Sequence, residues 1–220
     1  LKKGIYYETW YTEMLAMVAE DFFMEEFDVG FGGSPHERLI WFVNAWYNIG
    51  FRNWPSDVNK VPGEIVSSIY SNTYAFGAFL VRNYGGAELF HEICTNNDVN
   101  KESVIQAIEK VTGKNKSFSD LLKEYGIVVL NTSSFDLPDY PSLYREYSGT
   151  VNNYEFKLKK IDLENLTGEQ NKIGFYSPKG IENVYLGSYG FQIVYFKDPT
   201  DIVLKIKGVL EYDYLSLKDL

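Results

Sequence analysis

Between Thr9 and about Phe27, Trp10, Met14, Met17 and Val18 recur at spacings of three and four, the period of a buried helical face. Glu13, Ala16 and Glu20 repeat that spacing along a neighbouring face, so the predicted helix carries two carboxylates on one stripe. Ser34-Pro35-His36-Glu37 puts an N-cap serine ahead of a proline at the first helical position, and Gly50 closes the segment, which predicts a second helix. A third is predicted from about Glu64 to Tyr84 on Ile65, Ile69, Phe76, Phe79 and Leu80, ended by Gly85-Gly86. Shorter helices follow from about Ala87 to Thr95, from Lys101 to Thr112 between Asn100 as cap and Gly113, and from Phe118 to about Val129. In the last of these Ser117 and Asp120 have the spacing of a capping box.

After Leu130 the period changes. Asn131-Thr132-Ser133-Ser134 and Asp136-Leu137-Pro138-Asp139-Tyr140-Pro141 form a polar, proline-bearing connection. Beyond it, Tyr154 to Lys159 and Ile202 to Lys207 alternate as strands with one wet face do, and Gln192-Ile193-Val194-Tyr195-Phe196 is rich in β-formers. Turns at Thr167-Gly168, Pro178-Lys179-Gly180, Ser188-Tyr189-Gly190 and Asp198-Pro199 separate them. The expected architecture is α+β: a helical unit over residues 1–135, then a module over 136–220 folded as a small antiparallel β-sandwich or barrel.

Composition narrows the function classes. With 45% hydrophobic and 17% aromatic residues the 220-residue chain has ample material for a core. Its net charge of -9 opposes a nonspecific grip on phosphate backbones, so nucleic acid is not an expected partner. No apolar run approaches the roughly 18 residues of a membrane span. The single cysteine, Cys94, cannot form an internal disulfide and, among Leu89, Phe90 and Ile93, is expected to be a buried, inert thiol. The chain starts at Leu1 on the approach to a helix, without an initiator methionine, which points to a piece of a longer parent.

A zinc peptidase of the H-E-x-x-H kind needs two histidines four apart on one helix face with a glutamate between them. His36-Glu37 and His91-Glu92 each supply half of that pattern, and a structural role is expected for both histidines. Gly30-Phe31-Gly32-Gly33 precedes a helix but lacks the following Lys-Ser/Thr of a phosphate loop, so it reads as an inter-helix connection. By their spacing alone, Glu13 and Glu20 read as a solvated helix face.

The stretch from Trp10 to Asp21, Trp-Tyr-Thr-Glu-Met-Leu-Ala-Met-Val-Ala-Glu-Asp, resembles the Trp-Leu-Asn-Glu-Gly-Leu-Ser/Ala-x-x-Ala-Glu helix of the hyicolysin-like gluzincin metallopeptidases. Tyr70 to Gly85 is similar to the family's downstream Tyr-Gly-x-x-Tyr-x-Phe helix, and Ser117-Phe118-Ser119-Asp120-Leu121-Leu122 to the short helix closing the helical lobe. The resemblance covers about the first 130 residues. It implies a zinc-dependent hydrolase of peptide bonds acting on protein or peptide substrates, exported from a bacterial cell. By position, Glu13 is then the third zinc ligand and Glu20 a carboxylate supporting the site. Tyr70, or Tyr74 as second choice, is the donor to the oxyanion formed during peptide hydrolysis. The H-E-x-x-H helix would lie upstream of Leu1, leaving this chain inactive by itself. Two positions depart from the pattern: Thr12 replaces an asparagine and Met14 a glycine that allows close backbone approach. The alternative expectation is a non-catalytic peptidase-like binding protein of the envelope or extracellular space, using Tyr185, Tyr189, Phe191, Tyr195 and Phe196 of the β-rich module.

Overall fold

A computed structural model describes residues 6–24, 35–45, 50–52, 54–128, 138–163 and 166. Among these, six α helices precede a two-stranded antiparallel sheet: α1 (Thr9–Phe23), α2 (Pro35–Ala45), α3 (Gly63–Tyr84), α4 (Gly86–Thr95), α5 (Asn100–Thr112), α6 (Phe118–Val128), β1 (Tyr147–Val151) and β2 (Tyr154–Leu158). The helices expected from periodicity are all present. Ser34 and residues 46–49 lie outside the described residues, as do the loop at Gly30–Gly33 and the proposed end of the first helix near Phe27.

α3 is the central element. Every side-chain position from Ser71 to Arg82 is buried, which its amphipathic pattern alone does not require but its neighbours do, since α1, α2 and α4 all pack on it. An aromatic cluster joins the layers. Phe76 of α3 stacks on Phe51 with ring centroids 4.6 Å apart and meets Trp10 of α1 at 6.2 Å, Phe118 at 5.7 Å and Tyr125 of α6 at 5.3 Å. Burying each such ring contributes about 1.5–3 kcal/mol, before conformational entropy is subtracted. Tyr125 satisfies its hydroxyl by donating to the Asn72 carbonyl at 3.2 Å.

Helix ends follow the expected chemistry at two places. Gly113 ends α5 in the left-handed region with φ 69°, and Ser117 and Asp120 close a reciprocal cap on α6: the Asp120 N–H donates to Ser117 Oγ at 3.1 Å and the Ser117 N–H to Asp120 Oδ2 at 3.0 Å. Asn100 is a correction. It lies inside α5 rather than capping it, and its side chain reaches back to the start of the chain, accepting from the Glu8 N–H at 2.8 Å and donating to the Tyr6 carbonyl at 3.2 Å.

A two-stranded antiparallel hairpin is the part of the expected β-rich module that falls among the described residues. β1 and β2 pair from Tyr147 opposite Leu158 to Val151 opposite Tyr154, across Asn152 (φ 51°) and Asn153 (φ 68°), the two positive-φ positions of a tight hairpin turn. The strand expected at Tyr154–Lys159 is therefore present, and the sheet it joins has two strands among the described residues. Gln192–Phe196, Ile202–Lys207 and the turns from Thr167 onward lie outside them. The hairpin packs on α4 and α1: the Tyr147 ring covers Gly86 so closely that a Cβ there would sit 2.1 Å from it. Asn83 fastens the approach to the hairpin, donating to the Ser142 carbonyl at 3.0 Å and accepting from the Ser142 N–H at 3.1 Å.

Candidate functional site

α1 and α3 pack face to face through Met14, Val18 and Gly77, which turns the neighbouring stripe of α1 toward a cleft. Glu13, Ala16, Met17 and Glu20 of α1, Arg38 and Trp41 of α2, and Ser67 and Tyr70 of α3 line this space of about 370 Å³. Three of the four residues singled out in the sequence thus meet in one place: Glu13, Glu20 and Tyr70. Tyr74 does not line it.

The two carboxylates differ in their surroundings. Glu20 is paired with Arg38, whose Nη1 lies 2.8 Å from Oε2. Glu13 makes no hydrogen bond or ion pair with any described residue; partial burial, and then the nearby charge of Glu20, push its pKa up. Tyr70 packs edge-on against Trp54, centroids 4.7 Å apart, and Trp54 is itself tethered by donating from Nε1 to the Phe51 carbonyl at 2.8 Å. Burial and the charge of Glu13 raise the Tyr70 pKa, with Arg38 opposing. Tyr70 is therefore a protonated phenol, able to donate, whose electrostatic neighbour is the Glu13 carboxylate.

Tyr74, one turn further along α3, is fully buried and lies against His36, ring centroids 6.5 Å apart. Burial, followed by the charge of Asp21, raises its pKa well above the ordinary tyrosine value.

Sequence reasoning missed the buried group behind Tyr74. Asp21 takes Arg82 Nη1 at 2.7 Å and Nη2 at 3.2 Å, both side chains shut off from solvent, and His36 Nε2 lies 3.0 Å from Asp21 Oδ1. Arg82 also donates to the Lys159 carbonyl from Nη2 at 2.8 Å and from Nε at 3.1 Å, tying α1, α2 and α3 to the end of the hairpin. The available signal was a charge in each of two otherwise buried helical faces, Asp21 beside Val18 and Phe22, and Arg82 beside Phe79 and Val81. His36 accordingly has the structural role expected of it. His91 is exposed on α4. Cys94 is a correction: it lies at the surface, although the protein around it still raises its thiol pKa, which keeps it a poor nucleophile.

Among the described residues no group of three or more His, Cys, Asp or Glu stands close enough to hold a metal ion. Among the described residues Glu13 has no ion-pair partner in the cleft and Glu20 is paired with Arg38, and these two carboxylates do not make a whole metal site. The aromatic residues of the alternative binding role, from Tyr185 to Phe196, lie outside the described residues, and so does everything else after residue 166. No helix among the described residues is long and apolar enough to cross a membrane.

A sequence model of the family described as Peptidase M30 matches residues 3–167, a span that holds every described residue. No match to a curated protein or to a solved structure is found.

Proposed function

The chain belongs to the peptidase M30 family, and from that premise we propose that it is part of a hyicolysin-like, zinc-dependent peptidase whose catalytic cleft is the one between α1, α2 and α3. The observation that carries this reading is the placement of Glu13. A carboxylate with no hydrogen bond or ion pair to any described residue, partly desolvated and beside a protonated tyrosine, is suited to a bound cation. Glu13 is one ligand; the two histidine ligands and the general base belong to an H-E-x-x-H helix of a longer parent.

Zinc, when bound, supplies Lewis-acid polarisation of the scissile carbonyl and a lowered water pKa. The chain's own residues do the rest. Tyr70 donates a hydrogen bond to the carbonyl oxygen of a peptide substrate as negative charge builds there, and its raised pKa keeps the donor proton in place at neutral pH. Arg38 neutralises Glu20, so that the second carboxylate of the stripe supports the cleft without competing for the cation. Trp54 holds the Tyr70 ring and limits its rotation. The parent is proposed to act on proteins or peptides outside the cytoplasm of a bacterial cell.

Zinc content by mass spectrometry and hydrolysis of a quenched fluorescent peptide, both on the full-length protein, test the reading. The wild type should carry about one zinc per chain, and Glu13→Ala should lose both zinc and hydrolysis while keeping the thermal transition of the zinc-stripped wild type. Equal zinc in the two proteins, or none in either, would reject it.

A further inference from the structure

One hydroxyl joins the two helices that face each other across the cleft. Ser71, fully buried on α3, accepts a hydrogen bond from the Phe42 N–H at 2.6 Å and donates one to the Arg38 carbonyl at 2.6 Å. Phe42 and Arg38 are four residues apart on α2, so their N–H and C=O are the pair that bond each other directly in an uninterrupted helix. The Ser71 side chain meets both groups of that rung from outside, tying α3 to the backbone of α2.

The rung is the one that carries the cleft wall. Arg38 accepts the Ser71 bond through its backbone while its guanidinium holds Glu20 of α1, and Trp41, the residue before Phe42, lines the same cleft and is 38% exposed. Ser71 itself follows Tyr70 in sequence. A single side chain thus fixes the backbone of Arg38 and Trp41 against the helix that bears Tyr70.

We propose that Ser71 is a positioning residue of the cleft: by bridging the Arg38–Phe42 rung it sets where α2 places Arg38 and Trp41 opposite Tyr70. This rests on the cleft being the peptidase site, and the geometric part holds independently of activity. An alanine at 71 removes donor and acceptor together, so α2 loses its bonded tie to α3 at Arg38 and Phe42 and the Arg38 guanidinium is no longer held toward Glu20. Threonine keeps the hydroxyl.

The test follows Arg38 rather than overall stability. In full-length protein with labelled arginine, NMR measures the rotation rate of the Arg38 guanidinium, which is slowed by its ion pair, with Glu20→Gln as the reference for a freed side chain and Arg82 as an internal control. Ser71→Ala should raise the Arg38 rate to that of Glu20→Gln and leave Arg82 unchanged. Ser71→Thr should restore slow rotation, and Ser71→Ala should add nothing in the Glu20→Gln background. Where the alanine protein does not fold, Ser71→Cys, close in size but a weak hydrogen-bonding group, takes its place. An Arg38 rate unchanged from wild type in a folded Ser71→Ala or Ser71→Cys protein overturns the proposal, as does faster rotation of Arg38 and Arg82 alike. In peptide hydrolysis Ser71→Ala should lower kcat by about 10- to 100-fold, the range a misplaced group costs, with threonine recovering most of it. A wild type that hydrolyses no peptide rejects the peptidase reading, whereas the guanidinium rates still decide on Ser71.

Discussion

Met14 lies across Gly77 so tightly that a Cβ on the glycine would come within 2.7 Å of the Met14 Cγ and 3.7 Å of the Met14 carbonyl oxygen, with Val18 Cγ2 at 2.6 Å on the other side. Met14 stands where the resembled pattern has a glycine, and the glycine of this α1–α3 contact is Gly77 of α3. This contact determines how near the stripe of Glu13 and Glu20 comes to Tyr70.

Gly77→Ala should therefore destabilise the protein despite alanine's better helix propensity. The propensity gain is about 1 kcal/mol, and overpacking a rigid core costs about 1–3 kcal/mol. Because one obstructing atom is the Met14 Cγ, which alanine lacks, Met14→Ala should absorb part of the strain. In denaturant titrations the double variant should lose clearly less than the sum of the two single losses. Strict additivity would mean that the two side chains do not share the space.

The buried Asp21–Arg82 pair has a pH signature. Burial works against the charge of Asp21, but the His36 hydrogen bond and the Arg82 guanidinium outweigh it and hold the pKa at about 2, below the ordinary 3.8. A folded pKa below the unfolded one stabilises the fold above the unfolded value, and that contribution is lost as pH falls from about 4 through about 2. It amounts to about 2 kcal/mol. Arg82→Met strands a buried carboxylate and should cost about 3–5 kcal/mol at neutral pH, whereas Asp21→Leu together with Arg82→Met should cost less. Stability measured from pH 6 to pH 2 should fall with a steeper acid limb in the wild type than in the double variant.

Those two side chains also show where sequence reading stops. The helices were legible because each repeats an apolar face several times and is closed by a residue with a local reason to be there, Gly113 or the Ser117–Asp120 pair. Glu13, Glu20 and Tyr70 could be singled out from one stripe and one resemblance. Their meeting in a cleft with Arg38 and Trp41 could not, since it depends on how three helices cross. Asn100 had the composition of a cap, yet its side chain is used 92 residues away in the chain. Asp21 and Arg82 are 61 residues apart, and nothing local in either segment pairs them. Cys94 shares its helix with buried apolar residues but lies at the flank of their face, next to Ile93 and in the last turn, a distinction that a ten-residue helix leaves open to a small error in phase.

β1 was unreadable for a different reason. Tyr-Ser-Gly-Thr-Val has little alternation, and its order comes from the partner strand and from Tyr147 seated on Gly86. The turn did carry a signal in Asn152-Asn153, two residues that tolerate positive φ. Asn153→Gly should relieve the left-handed strain at φ 68° and stabilise the hairpin by a few tenths to about 1 kcal/mol. Asn153→Val should destabilise it by more than that. Amide exchange at Thr150 and Glu155, which face each other in the ladder, reads both effects directly.

The tyrosines of α3 separate chemistry from packing. Tyr70 lines the cleft and Tyr74 does not, although both were candidates for the oxyanion donor. Tyr70→Phe removes only a hydroxyl from a ring that keeps its contact with Trp54, so the thermal transition should hardly move. Hydrolysis by the full-length protein should nevertheless fall about 10²- to 10³-fold in kcat, the usual cost of losing one oxyanion donor. Tyr74→Phe should do the opposite: its hydroxyl lies in the core, so kcat should stay within a few-fold of wild type while the melting temperature shifts. Should Tyr74→Phe abolish turnover and Tyr70→Phe leave it intact, the cleft between α1, α2 and α3 is not where the reaction takes place.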